Sequence, residues 1–230
     1  AVRVLSFEDI EINTDFWCER LQSALDVRIG VGIADSPTNN TYRLVHGEGD
    51  YLPGLVIDCY GSTAVMQAHS VGMHVCRNEI CQALVQVMGA RIANVYYKSE
   101  TTLPYKADLH QENGFLVGGD ASNVAMENGL KFHIDWLRGQ KTGFFVDQRE
   151  NRSLLEHYAK GKSVLNMFCY TGGFSVYAMR GDAKQVHSVD SSAKAIELTN
   201  DNVALNFPGD ARHEAFCEDA FKYLDEHDQQ

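Results

Sequence analysis

The 230-residue chain is 44% hydrophobic and carries a formal net charge of −11, enough apolar material for more than one core. That acidic balance argues against a general affinity for nucleic acid, which shows as a basic face, so any RNA contact must come from a local patch or another module. No apolar run approaches the roughly 18 residues that a membrane-spanning helix needs.

The six cysteines, at 18, 59, 76, 81, 169 and 217, form no C-x-x-C pair and read as reduced thiols of a cytoplasmic protein. Val2 to Leu5 alternate like a strand. Asn13 or Thr14 then caps a helix whose apolar positions Phe16, Trp17, Leu21, Ala24 and Leu25 recur at three and four. A turn cluster at 36–40 marks a boundary. Residues 42–45, 55–58 and 64–68 read as strands, and one helix follows through Met73, Cys76, Ile80, Leu84, Val87 and Met88 to a stop at Gly89. A strand at 92–97, a polar loop and a hairpin of 123–126 with 130–134 around Asn128-Gly129 complete a small α+β unit. Cys76 and Cys81 are expected as helix packing. His46, Glu48 and Asp50 are not read as metal ligands, because Gly47 and Gly49 mark a turn; no metal is expected.

From Trp136 the pattern changes to alternating helices and strands, the signature of a parallel, doubly wound sheet. Residues 147–160 read as a helix with a core stripe of Leu154, Leu155 and Tyr158, stopped at Gly161. The stretch 164–190 then runs strand (164–168), small-residue turn (Thr171-Gly172-Gly173), helix (174–179) and strand (185–189), ending on Asp190. Ser191 or Ser192 caps a helix at 193–206, a strand follows at 213–217, and a last helix starts near Asp219. Three such strands are the first half of a doubly wound sheet. Residues 164–168 are apolar on both faces and want a neighbour on each side, so the chain is expected to be a fragment cut at both ends.

A strand–glycine turn–helix–strand unit suits a nucleotide-type cofactor. Glycines allow close backbone approach, the helix presents unpaired N–H groups to an anion, and an acid at the next strand end accepts bonds from ribose hydroxyls. Asp190 lies 18 residues after Gly172, near the roughly 20 expected of a ribose-binding acid. The G-x-G-x-x-G fingerprint of dinucleotides is absent, and two adjacent glycines suit a carboxylate or amino group better than a pyrophosphate. S-adenosylmethionine offers a carboxylate, an ammonium, a ribose diol and an adenine, and Asp219 with Ala220 stands where an acid would meet the adenine amino group. The plain alternative is an ordinary βαβ unit with a solvated acid at each strand end.

Three segments, YRLVHGEGDYLPGLVIDCYG (42–61), GFFVDQRENR (143–152) and NMFCYTGG (166–173), resemble the ribosomal RNA large-subunit methyltransferase I family, and the resemblance covers roughly residues 3–221. It implies a PUA-type RNA-binding domain, a small central α+β domain and a C-terminal class I (Rossmann-like) S-adenosylmethionine methyltransferase domain, here as 1–38 (the end of the PUA-type domain plus a linker helix), 39–135 and 136–230 (the first half of the doubly wound sheet). The implied activity is methylation of a base of 23S ribosomal RNA, cytosine at carbon 5, in the cytoplasm, with no membrane partner; a homodimer is the expected assembly. By the same resemblance Phe168, Cys169, Tyr170, Thr171, Gly172 and Gly173 match the cofactor loop, Asp190 the ribose-binding acid and Asp219 the adenine-binding one. Phe145, Gln148 and Arg149 match a segment that lies across the active site. Arg149 could hold the methionine carboxylate or an RNA phosphate, with a helix-surface pairing to Asp147 or Glu150 as its plain alternative.

Methylation at cytosine carbon 5 needs a thiolate nucleophile. The family's late cysteine is expected beyond Gln230, since Cys169 and Cys217 read as packing, and the 230 residues alone are not expected to complete the reaction. Guanine N7 methylation, which needs no cysteine, is the alternative within the family. Outside it stand a non-catalytic RNA- or ribosome-binding protein and a nicotinamide-dependent oxidoreductase, the latter disfavoured by the Gly172-Gly173 spacing.

Overall fold

The computed structural model describes residues 2–103, 109, 112–119 and 122–227. The chain divides into two compact units, Ala1–Met126 with Ile134–Val146, and Glu127–His133 with Asp147–Gln230.

In the first unit, helix α1 (Thr14–Gly30) starts where Asn13 accepts the Phe16 N–H. Strands β1 (Thr41–His46), β2 (Leu55–Tyr60) and β3 (Thr63–Ala68) form an antiparallel meander. Helices α2 (Val71–Val75) and α3 (Arg77–Met88) carry the chain to β4 (Asn94–Tyr97), parallel to β3, and β5 (Gly114–Val117) pairs antiparallel with β4. The sheet order is β1-β2-β3-β4-β5. One face buries Leu55, Ile57, Ala64 and Met66 against Trp17, Leu21, Ile80 and Leu84 of α1 and α3. On the other face Trp136 stacks on Tyr60, and the Thr142 hydroxyl donates to buried Asp58 at 2.6 Å.

Three expectations change here. Residues 2–5 make no strand, the helix expected through Met73–Met88 breaks at Cys76, and part of the polar loop is strand β5. Ser70 caps the short α2, accepting the Met73 N–H, so the turn chemistry starts one helix before the apolar repeat starts another.

Strands β6 (Val124–Glu127) and β7 (Leu130–His133) form the expected hairpin, with Asn128 and Gly129 at φ 49° and 81°, the left-handed pair of a type I′ turn. The second unit then runs α4 (Arg149–Ala159), β8 (Ser163–Met167), α5 (Gly173–Arg180), β9 (Gln185–Asp190), α6 (Ala193–Asn206), β10 (His213–Cys217) and α7 (Ala220–His227). Its three strands are parallel in the order β10-β9-β8. This is the expected α/β fold. Strand β8 is the edge, with no second ladder partner among the described residues.

The Leu154, Leu155 and Tyr158 stripe is not a core stripe. Leu154 and Tyr158 are 55% and 67% exposed, and α4 buries Arg152 and Ala159 instead. The helix meets α5 through Glu156, which accepts from Arg180 at 2.7 Å, while Arg152 donates to Glu127 before the hairpin turn. A side chain at Gly181 would run into the Glu156 carbonyl, so glycine is what lets the two backbones approach there.

Candidate cofactor site

The loop after β8 reverses direction through three left-handed residues, Phe168, Tyr170 and Gly172, at φ 56°, 48° and 72°. For Phe and Tyr that region is strained, and the strain is held by a closed set of hydrogen bonds. The Cys169 N–H donates to the Val189 carbonyl at 3.0 Å, and the Tyr170 N–H donates to the Asp190 carboxylate at 3.0 Å. From α6, the Thr199 hydroxyl donates to the Tyr170 carbonyl at 3.0 Å and the Asn202 amide to the Thr171 carbonyl at 2.8 Å. A Cβ on Gly172 would sit 2.6 Å from the Thr199 methyl, so position 172 must be glycine for two reasons, conformation and space.

These bonds aim the loop. The peptide is planar and trans, so drawing the Tyr170 carbonyl onto α6 turns the Thr171 N–H away from it, while the Gly172 N–H of the next peptide donates to the Cys169 carbonyl at 2.8 Å. The first N–H groups of α5 lie directly beyond and have no intrahelical acceptor. Together they form a donor set for a carboxylate.

Asp190 stands at the C-terminal end of β9. One carboxylate oxygen accepts the Tyr170 N–H and the other the Ser192 N–H at 2.9 Å. Each oxygen keeps a second lone pair, so Asp190 can shape the loop and still accept ribose hydroxyls. The Glu218 N–H donates to the Asp190 carbonyl at 3.0 Å, which sets the turn after β10 beside it. In that turn Asp219 is exposed and caps α7, accepting the Phe221 and Lys222 N–H groups, and Ala220 is buried. The donors and acceptors present fit the carboxylate and ribose of S-adenosylmethionine.

The remaining expected residues fall as follows. Phe168 projects from the loop, 73% exposed. Cys169 is buried 3.6 Å from the Thr199 hydroxyl, and burial pushes its thiol up to about 11, the behaviour of a packed cysteine. Cys217 is exposed, with its sulfur 3.7 Å from the Ser191 carbonyl. Phe145 belongs to the first unit, where the Lys141 ammonium lies 4.6 Å from its ring centroid. In the second unit Gln148 accepts from Asn151 at 2.9 Å. Arg149 makes no surface pair with Asp147 or Glu150. Its guanidinium turns inward, with Nε buried, unbonded and 4.0 Å from Glu127.

Sequence reasoning passed over the polar residues beneath the loop. Glu127 is fully buried and holds Arg152 through both oxygens at 2.9 and 2.8 Å, while the Tyr177 hydroxyl donates to it at 2.9 Å. Arg152 packs against Gly173, where a Cβ would lie 3.2 Å from its side chain. Under the sheet, Asn166 donates to Ser175 at 2.8 Å, and Ser175, Ser188 and His213 continue the chain at 2.6 and 2.8 Å. The only sequence signal for these was polarity at positions that period alone would bury.

Among the described residues, no helix is long and apolar enough to cross a membrane, and no three His, Cys, Asp or Glu side chains are grouped to hold a metal ion. Asp50, one of the three acidic or imidazole groups considered above, instead pairs with Arg28 and accepts the His46 N–H.

Comparison with known proteins shows the family. The S-adenosylmethionine-dependent methyltransferase family matches residues 105–226. The ribosomal RNA large subunit methyltransferase I of Tolumonas auensis is 38% identical over 98% of this chain and 57% of its own length. A Streptococcus mutans protein classed as a SAM-dependent methyltransferase superposes with a TM-score of 0.85 at 29% identity, over 97% of this chain and 57% of that one. A methyltransferase solved in complex with SAH superposes with a TM-score of 0.84 at 29% identity, over 97% and 56%. The chain thus spans somewhat over half the length of the curated relatives it matches. With that family matched over more than half of its length, the chain belongs to the S-adenosylmethionine-dependent methyltransferase family.

Proposed function

We propose that this chain supplies the cofactor-binding half of a methyltransferase acting on ribosomal RNA of the large subunit, with a base of 23S rRNA as acceptor and cytosine carbon 5 as the atom methylated. The observation that carries the reading is the 168–173 loop, whose Tyr170 and Thr171 carbonyls are fixed on α6 and whose Tyr170 N–H is held by Asp190, an arrangement that turns the Thr171 N–H away from α6. In this reading residues 1–38 end a PUA-type domain, 39–135 form the small central domain and 136–230 begin the methyltransferase domain; the protein works in the cytoplasm as a homodimer.

When bound, S-adenosylmethionine supplies an electrophilic methyl group. The N–H groups of Thr171 and the start of α5 would hold its carboxylate, with Arg149 as a further contact, Asp190 its ribose and Asp219 its adenine. Cys169 is not the thiolate that attack at cytosine carbon 6 requires, because its proton is held by burial. The cytosine reading therefore takes its nucleophile from another residue. The same observation favours guanine N7 as the second reading, since that nitrogen attacks directly.

Two measurements test this. Calorimetric titration with S-adenosylhomocysteine should show binding to the protein, and absence of binding would leave a non-catalytic RNA-binding role. Nucleoside mass spectrometry of 23S rRNA from cells with and without the gene should show loss of one 5-methylcytidine. Loss of 7-methylguanosine would select the second reading, and no change would overturn the substrate assignment.

A further inference from the structure

We infer that Asn202 is a positioning residue for the cofactor loop, holding the Thr171 carbonyl from α6 while it is itself fixed by strand β7. The inference rests on the proposed role of the 168–173 loop and goes beyond it.

Asn202 is fully buried in the middle of α6, where an amide has to be satisfied at both ends. Its oxygen accepts the His133 N–H of β7 at 2.7 Å, and its nitrogen donates to the Thr171 carbonyl at 2.8 Å. One side chain thus spans from strand β7 to the Thr171–Gly172 peptide, which joins the Thr171 N–H to the first N–H groups of α5. One turn further along, Asn206 grips the same strand, accepting the Lys131 N–H at 2.9 Å and donating to the Lys131 carbonyl at 2.7 Å. None of its hydrogen bonds reaches the loop; its remaining one goes to the Asn202 carbonyl at 2.8 Å. The two asparagines are therefore a natural pair of test and control: both fasten β7 to α6, and Asn202 alone also holds the loop.

Without Asn202 the carbonyl of buried Thr171 loses its donor, and its peptide is held only by the Gly172 N–H bond to the Cys169 carbonyl at 2.8 Å, so the turn into α5 loosens. The donor set then has to be reordered each time ligand binds. Asn206→Ala removes a comparable hold on the strand and leaves the loop peptides in place.

The experiment is calorimetric titration of the full-length protein with S-adenosylhomocysteine, with urea midpoints measured on the same samples. Asn202→Ala should weaken binding about tenfold, whereas Asn206→Ala should lower the urea midpoint and keep wild-type affinity within about twofold. Asn202→Asp, which keeps the acceptor for His133 and loses the donor to Thr171, should weaken binding as Asn202→Ala does, and it serves if the alanine variant does not fold. Wild-type affinity in a folded Asn202 variant, or an equal loss in Asn206→Ala, would overturn the inference. If the wild-type protein itself does not bind, the cofactor reading fails instead.

Discussion

In the first unit, β2 and β3 are buried along nearly their whole length, and the residues that fill the α1 and α3 side are Leu, Ile, Met, Ala and Trp. In the second, the edge strand β8 leaves Leu165 42% exposed while Glu127, Arg152, Thr199, Asn202, Ser175 and Ser188 are all buried. Both units bury apolar residues, and the first buries polar ones too, Asp58 and Gln67 among them, but in the second the buried side chains of Thr199 and Asn202 bond the carbonyls of a loop. The difference follows from what each has to hold. An apolar core is non-directional and tolerates exchange of one hydrocarbon for another. A loop with two non-glycine residues in left-handed conformations needs directed partners for its peptide groups, and only hydrogen-bonding side chains supply them.

The contrast can be broken most severely at Glu127. Glu127→Ala leaves the buried Arg152 guanidinium without its carboxylate, and the expected loss is about 3–5 kcal/mol in urea denaturation. A loss below about 1 kcal/mol would mean that the second unit does not depend on its buried ion pair.

Asp190 sharpens the comparison at the site itself. Asp190→Ala removes the acceptor for Tyr170 and Ser192 together with the expected ribose contact. Affinity for S-adenosylhomocysteine should fall by about 1–3 kcal/mol. Unchanged affinity in a folded variant would take Asp190 out of the site.

A smaller effect is expected from pH. Burial, with His187 nearby, pulls His213 down from its ordinary 6.5 to about 4, so the folded state prefers it neutral. The stability this contributes is fully present above pH 6.5 and is lost as pH falls toward 4, where the unfolded chain binds a proton that the folded one refuses. Carboxylates titrate across part of the same range, so the measurement is a difference: urea midpoints at pH 7 and pH 4.5 for wild type and His213→Gln. The variant should show the shallower decline, and parallel declines would show that His213 is not the source.

The smallest effect tests the exposed side of the contrast. Leu154→Gln, on the stripe that helical period marks as core, should change stability by no more than about 0.5 kcal/mol. A loss above 1 kcal/mol on the same scale would show that Leu154 is covered in the working protein.

Local signals in the chain account for much of the second unit. Helix α6 begins after Ser192 and covers 193–206, and β10 covers 213–217, as periodicity and capping predict. The Asn128-Gly129 hairpin and the strand–glycine turn–helix–strand unit were legible for the same reason, since each is decided by residues within a few positions of one another. Asp190 was legible because its spacing from the glycines is short. Where neighbours far along the chain decide, pattern failed. The expected stripe on α4 was wrong because a helix has several candidate faces and its partner chooses among them; here Glu127, 25 residues before Arg152, selected the polar one. Strand β5 passed for loop because only pairing with β4 makes a strand of four residues beside a glycine. Sequence alone therefore determined the order of the elements, the place of the glycine turn and the acid that closes it. Tertiary structure decided which carbonyls that turn surrenders to α6, because Thr199 and Asn202 become its partners only once the sheet has folded the chain back across some thirty residues.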